Sequence, residues 1–373
     1  MKRPLFIICL AILAGYFYAG LYPFDFFPRN QVSWLPEGGG IVLGSHTVVR
    51  SARPVELGGS GGEVTIEICF EPLEESRDRV RPLLSIYDGD LPENLLIAQW
   101  KSRAVVRAAI IDARGRRRFR EIDVRNGMRP GVRTILTMTS GACGTAVYLE
   151  GILAHIEPKL RLRPDNLEGS LLLGDSSNGE HGWRGKVCGL ALFGRALSPP
   201  EVERHYRLFA ENRAGELRGA PGLAGLYLFD DREGQAAADW AAGNALEFPK
   251  YSRPVNPVFL RPPWRDSIHP FDITINVLGF VPFGLFYFLY RAAIHPGRMR
   301  ANFLWALLVS AAVSAGIEVL QVWLPSRSSS MTDLICNIGG ALCGIALAAG
   351  IVGIRHSKRI ADTDEHGSTR IPT

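Results

Sequence analysis

The sequence predicts a mixed fold: an α-helical transmembrane bundle of four helices, with an extracytoplasmic all-β jelly-roll sandwich inserted between the first and second. Three observations predict it. Apolar runs of membrane-spanning length lie near the two ends of the chain, and the middle is as charged as an ordinary globular domain. That middle alternates apolar and polar residues over short stretches divided by turn residues. Basic residues cluster beside the apolar runs, as they do on the cytoplasmic side of membrane proteins. The average over 373 residues (47% hydrophobic, 21% charged, net charge +5) conceals the segregation. With no basic stripe interleaved with aromatics, nucleic acid is excluded as a partner class.

A bilayer core needs about 20 apolar residues per helix, and four segments qualify. Residues 5–22 carry no charge and follow Lys2 and Arg3. A cleaved signal peptide is the alternative there, but Phe17 spoils the small-x-small site ending at Ala19, so an uncleaved anchor is expected. Residues 273–290 and 334–354 are uncharged, and 301–324 carry only Glu318. Arg291, Arg298 and Arg300 follow the second segment; Arg355, Lys358 and Arg359 follow the fourth. All three basic clusters agree if both termini are cytoplasmic. The expected protein is therefore multi-pass in a bacterial cytoplasmic (inner) membrane, with residues 25–270 and the loop near Arg327 outside. The domains divide as a first helix at 1–24, the sandwich with its flanks at 25–256, a three-helix membrane segment at 257–356, and an unstructured cytoplasmic tail at 357–373.

Within the outer domain, residues 64–70 alternate strictly, placing Val64, Ile66, Ile68 and Phe70 on one face and Cys69 on the other. Further strands are predicted at 83–87, 95–100, 104–112, 134–139, 145–149, 170–173 and 186–193. Glu150-Gly151 reads as a hairpin turn. Many short strands separated by turns imply a sandwich. Trp100, Trp183 and Trp240 are candidate sugar platforms, or core. The six cysteines (9, 69, 143, 188, 336 and 343) show no metal-ligand spacing, and three of them fall in apolar helices. No metal and no cofactor are predicted, nor a disulfide essential for folding.

Residues 147–153 (Val-Tyr-Leu-Glu-Gly-Ile-Leu), 173–176, 183–187 and 191–202 resemble laminin G-like, concanavalin A-type domains. The resemblance covers about residues 40–210 and implies a closing strand that turns into a short helix capped by Ser198. It implies carbohydrate or protein binding, or a spacer. Where family members often place an acidic residue this chain has Cys188, so calcium is not carried over. Residues 225–248 are similar to a segment that usually opens such domains, and read either as a partial second copy or as closing strands.

Ionisable and amide side chains in the apolar segments are costly in lipid and usually face a bundle interior. Asp272-Ile-Thr-Ile-Asn276-Val-Leu-Gly279 and Asp333-Leu-Ile-Cys-Asn337-Ile-Gly-Gly340 repeat one pattern, Asp-x-x-x-Asn-x-x-Gly, whose members share a helical stripe. The glycines on it allow close helix approach. Ser310, Ser314, Glu318 and Gln321 form a comparable stripe between them. Under the expected topology Asp272, Asn276, Glu318, Gln321, Arg327, Asp333 and Asn337 reach one level at the outer leaflet and make a candidate substrate-binding pocket. Glu318 is expected to meet Arg327. The same residues also read as helix caps and interhelical hydrogen bonds, and catalytic residues are not assigned.

These motifs, with Asn276–Gly284 and the Leu21-Tyr-Pro-Phe-Asp25 segment, resemble the VanZ-like membrane proteins. That family's namesake is associated with teicoplanin (glycopeptide antibiotic) resistance, so the resemblance implies a cell-envelope role without supplying a reaction. The expected function is binding of a membrane lipid headgroup, lipid-linked glycan or amphiphilic antibiotic at the outer leaflet. The sandwich would contact surface polysaccharide or an envelope protein. The alternatives are an enzyme using Glu318 and Asp333 as an acid/base pair, which lacks a nucleophile elbow, metal spacing or phosphate loop, and a membrane scaffold. His269 is the one histidine near that level.

Overall fold

The computed structural model describes residues 2–57, 62–89, 93–111, 116–177, 179, 182–263, 270–325 and 327–367. It forms two compact units, Phe27–Pro257 and Met1–Phe26 with Val258–Thr373. The first is the β-sandwich and the second the helical unit.

In chain order the sandwich strands begin with β1 (Val32–Trp34), β2 (Ile41–Leu43), β3 (Val49–Ser51), β4 (Val55–Glu56), β5 (Val64–Pro72) and β6 (Ser76–Tyr87). There follow β7 (Leu95–Lys101), β8 (Arg103–Ile111), β9 (Arg117–Val124), β10 (Thr134–Gly141), β11 (Gly144–Leu149) and β12 (Ile152–Glu157). The chain closes with β13 (Glu168–Leu173), β14 (Gly185–Phe193), β15 (Leu223–Tyr227), β16 (Ala236–Ala237) and β17 (Leu246–Glu247). One sheet runs β1-β2-β14-β5-β10-β11-β12, with β15 also on β14. The other runs β16-β17-β3-β13-β6-β7-β8-β9, with β4 also on β13. All the pairings are antiparallel.

Inward residues of both sheets make the main core, with Val64, Ile66, Ile68, Phe70, Leu84, Ile97, Val106, Leu136, Val147 and Trp183 among them. Burying one such side chain contributes about 1.5–3 kcal/mol. β5 is buried on both faces, because helix α2 (Pro199–Ala210) covers its second face; α1 (Lys2–Leu21) belongs to the other unit. Val202, Leu208 and Phe209 of α2 pack there with Cys69, Ile135 and Phe193. Ser198 precedes the helix, and its N–H and hydroxyl donate to Glu201 at 2.8 and 2.7 Å. Arg195 donates to both oxygens of the same carboxyl and, with Ser198, holds it down at about 2. Beneath α2, Glu67 lies 2.8 Å from His205 Nδ1, and burial raises its carboxyl while His205 and Thr137 pull the other way.

The predicted strands all lie within observed ones, although Asp112 falls outside the described residues. Glu150 and Gly151 take positive φ (54° and 74°), the geometry of a tight hairpin turn, between β11 and β12. The 225–248 segment is resolved in favour of closing strands: β15 extends one sheet, and β16 and β17 extend the other. β9 escaped the sequence reading because arginines punctuate it; an edge strand tolerates them.

The helical unit contains α1, α3 (Pro270–Ile294), α4 (Met299–Gln321) and α5 (Met331–Gly367). All four are long and apolar enough to cross a membrane. α5 continues to Gly367, into the tail expected to be unstructured; an existing helix supplies the nucleus from which such an extension propagates. Phe288, Ala306, Ile345 and Ala348 form a small core where α3, α4 and α5 meet.

Glycines set the closest approach of α3 to α5. A Cβ on Gly340 would stand 1.9 Å from the Val277 carbonyl oxygen, one on Gly344 2.1 Å from that of Val281, and one on Gly284 2.2 Å from that of Ala341. Gly279 has nothing within 4 Å of such a Cβ, so the expectation that both repeat glycines serve close packing holds for Gly340 alone. Tyr16 of α1 donates to the Gly279 carbonyl instead, with its ring 4.5 Å from that of Phe280.

Candidate functional site

The stripe predicted along α4 is buried: Ser310 and Ser314 are fully enclosed, Glu318 is 2% exposed and Gln321 9%. Such a run of polar side chains in an apolar helix is stable only if neighbours supply partners. Ser310 donates to the Ala306 carbonyl within its own helix, at 2.8 Å. Ser314 accepts from Asn337 Nδ2 of α5 at 3.0 Å.

Glu318 sits at the start of α5. Its Oε2 accepts the Ser330 N–H at 2.7 Å, while the Ser330 hydroxyl accepts the N–H groups of Thr332 and Asp333 at 3.1 and 3.3 Å. Ser330 is thus the N-cap of α5, and a carboxylate from another helix stands at the positive end of its dipole. In a capping box the N-cap N–H would go to the side chain three residues on. Here Glu318 takes that N–H, and Asp333 accepts instead from Asn276 Nδ2 of α3 at 2.7 Å. The loop before α5 is pinned in turn: Arg261 N–H donates to the Ser329 carbonyl (2.9 Å), and the Met331 N–H to that of Arg261 (3.0 Å).

Asn276, Glu318, Asp333 and Asn337 therefore form one polar seam joining three helices. At about 1.5 Å per residue, Glu318 lies ~4.5 Å from the end of α4, and Asn276 and Asn337 ~9 Å inside α3 and α5. All four are at the same end of the bundle. Asn337 is 7% exposed, and its Oδ1 has no hydrogen-bond partner among the described residues; nor has Thr332 Oγ1. Turning the Asn337 amide over would only exchange which atom is orphaned. A buried polar atom left so costs about 1–3 kcal/mol.

The other three predicted residues stand apart from the seam. Gln321 donates to the Gly20 carbonyl at 2.9 Å, and Arg327 to those of Ala19 and Tyr22 at 3.1 and 3.5 Å. Both satisfy orphan carbonyls at the C-terminus of α1, where a cation also meets the negative dipole end. The expected Glu318–Arg327 contact is not formed: Arg327 is exposed and turned to α1, whereas Glu318 is buried against the start of α5. Asp272 is exposed on the first turn of α3, and no contact among the described residues joins it to the other six. His269 lies outside the described residues.

The sequence reading missed the role of Ser330, although Ser330-Met-Thr-Asp333 before an apolar run carries the capping signature. Of the candidate sugar platforms, Trp183 is core, fully buried against Phe70. Trp100 and Trp240 are 38% and 40% exposed, but the Arg218 guanidinium lies 3.6 Å from the Trp240 ring centroid and occupies that face.

A family model described as VanZ/LLP1 matches residues 238–353. The match begins within the closing strands of the sandwich, takes in α3, α4 and the apolar part of α5, and leaves α1 outside it. No curated protein matches the chain. Among solved structures, the receptor-binding domain of botulinum neurotoxin type G is similar at 13% identity, with 48% of this chain and 45% of that one covered and a TM-score of 0.36. The chain thus spans less than half the length of that protein. A heptameric SAP-like pentraxin from Limulus polyphemus is similar at 10% identity (48% and 80% covered, TM-score 0.34). So is a Ruminococcus gnavus sialidase CBM40 bound to α2,3-sialyllactose, at 12% identity (44% and 95% covered, TM-score 0.34).

Proposed function

We propose that this chain, a membrane protein whose residues 238–353 carry the VanZ/LLP1 match, binds the polar headgroup of a membrane lipid or lipid-linked envelope glycan at the seam of its helical unit. The observation that carries the reading is the buried Asn337 amide with one polar atom unpartnered, beside the buried Glu318 carboxylate, at one end of three apolar helices. Side chains that only join helices have most such atoms satisfied. A ligand hydroxyl or amide reaching Asn337 would complete the set. An amphiphilic glycopeptide, with its own array of amides and hydroxyls, is a competing occupant of the same chemistry.

The sandwich in this reading contacts an envelope polymer; its support is the resemblance of residues 147–153 and 173–202 to laminin G-like domains. The acid/base alternative draws less support, since the hydroxyl of Ser330, whose N–H Glu318 accepts, caps α5, and Glu318 is withdrawn from solvent. The test is unbiased mass spectrometry of lipids and glycans copurifying with the intact protein, against the composition of the source membrane. Enrichment of one headgroup class is expected; a profile matching the bulk membrane would refute the reading.

A further inference from the structure

Cys69 and Cys188 are far apart in sequence, yet β5 and β14 are hydrogen-bonded neighbours that bring them together. The pairing register runs Val187 to Phe70 and then Gly189 to Cys69, so Cys188 is the extra residue of a β-bulge. The bulge turns Cys188 onto the face of β5 that carries Cys69, and both side chains pack into the core beneath α2. Both are free thiols. Arg133 Nε donates to Cys69 Sγ at 3.1 Å, while its other arm donates to the Phe209 carbonyl and to Asn212 Oδ1 at 3.1 and 3.0 Å. A guanidinium fixed at both ends therefore stands over the pair. Cys69 is fully buried, and Cys188 is partly exposed. Cys143, the remaining cysteine of the sandwich, lies exposed in the β10–β11 turn.

We propose that Cys69 and Cys188 form a reversible dithiol–disulfide site in the sandwich, oxidised by an external disulfide with Cys188 as the attacking thiol and Cys69 as the resolving one. It is independent of the proposal for the helical unit.

The environment distributes the roles. The neighbouring Cys69 thiol, and after it the Arg133 and Lys186 cations, bring the Cys188 thiol down to about 7 although burial opposes it. Cys69 is pushed up, first by its Cys188 neighbour and then by burial, with Arg133 acting the other way. A partly exposed thiol that ionises near neutral pH is the better nucleophile. The Cys188 thiolate attacks an external disulfide R–S–S–R, forming the Cys188–S–S–R bond and releasing R–S⁻. The interaction that held the Cys69 proton most strongly then disappears, while Arg133 remains beside its sulfur. Cys69 loses its proton to solvent and attacks Cys188 Sγ, and a second R–S⁻ leaves. Two thiols lose two electrons, and the external disulfide gains them as two thiols.

The experiment uses the intact protein in detergent with oxidised glutathione, followed by rapid alkylation and peptide mass spectrometry. A peptide pair linked through Cys69 and Cys188 and reversed by reductant is expected. Cys69→Ser should stop at the glutathione adduct on Cys188, and Cys188→Ser should leave Cys69 unmodified. Iodoacetamide should modify Cys188 with a rate half-maximal near pH 7. A wild-type protein that accumulates a stable glutathione adduct on Cys188 without cross-linking would overturn the proposal. So would modification at Cys143 with neither Cys69 nor Cys188 reacting.

Discussion

Glu318 and Arg327 carry opposite charge at neighbouring depth in the sequence pattern, and pairing them is the economical guess. The structure separates them: one accepts from the cap of α5, and the other closes α1. A pair in one buried contact is strongly non-additive, because removing one partner strands the other at a cost of about 3–5 kcal/mol. Residues without a shared partner add within about 0.3–0.5 kcal/mol. The melting free energies of Glu318→Gln, Arg327→Ala and the double variant in detergent should therefore be additive within that margin. A coupling of 1 kcal/mol or more would restore the direct contact. Residue chemistry was legible where spacing along one helix decides it, as with Ser310, Ser314 and Glu318, all buried as the stripe implies. Partners across helices were not. Which donor reaches a carboxylate depends on loop geometry, and here the segment before α5 is held by Arg261, far from it in sequence.

Elements long enough to show a period were legible, the arginine-rich edge strand β9 excepted; those too short were not. The four apolar helices and the strands of six or more residues in the centre of each sheet follow from composition and alternation. β3, β4, β16 and β17 hold two or three residues, less than one repeat of any pattern, and exist because a neighbouring strand offers them hydrogen bonds. The glycine repeat shows the same limit. Both copies of Asp-x-x-x-Asn-x-x-Gly look alike, yet only Gly340 meets a neighbouring backbone. Its consequence is testable at this scale. Gly340→Val or Gly344→Val should drive α3 and α5 apart, with a loss of about 1–3 kcal/mol or more, since backbone atoms cannot yield as a flexible side chain can. Gly279→Ala should be near neutral. Thermal unfolding in detergent, read by tryptophan fluorescence, distinguishes them; equal losses at Gly279 and Gly340 would contradict the packing.

For the whole molecule, the basic clusters at Lys2–Arg3, Arg291–Arg300 and Arg355–Arg359 predict both termini inside and the sandwich outside. In a cysteine-free background, single cysteines near residues 120 and 327 should label from outside intact cells with a membrane-impermeant maleimide. One between residues 291 and 300 should label only after the cells are opened. Labelling of that loop from outside would sink the scheme, and with it the placement of the seam at the outer leaflet. Placement alone does not separate a ligand site from helix glue, which is the central question. The most direct measurement is the copurifying lipid and glycan profile of Glu318→Gln beside that of the wild type, with melting temperature taken on the same samples. Glutamine can still accept the Ser330 N–H through its carbonyl oxygen, so the fold should persist while the charge is gone. A melting temperature within a few degrees of wild type, together with loss of most of the enriched headgroup class, is expected. An unchanged profile, or a loss of ligand only in step with unfolding, would show that the seam holds helices together and binds nothing.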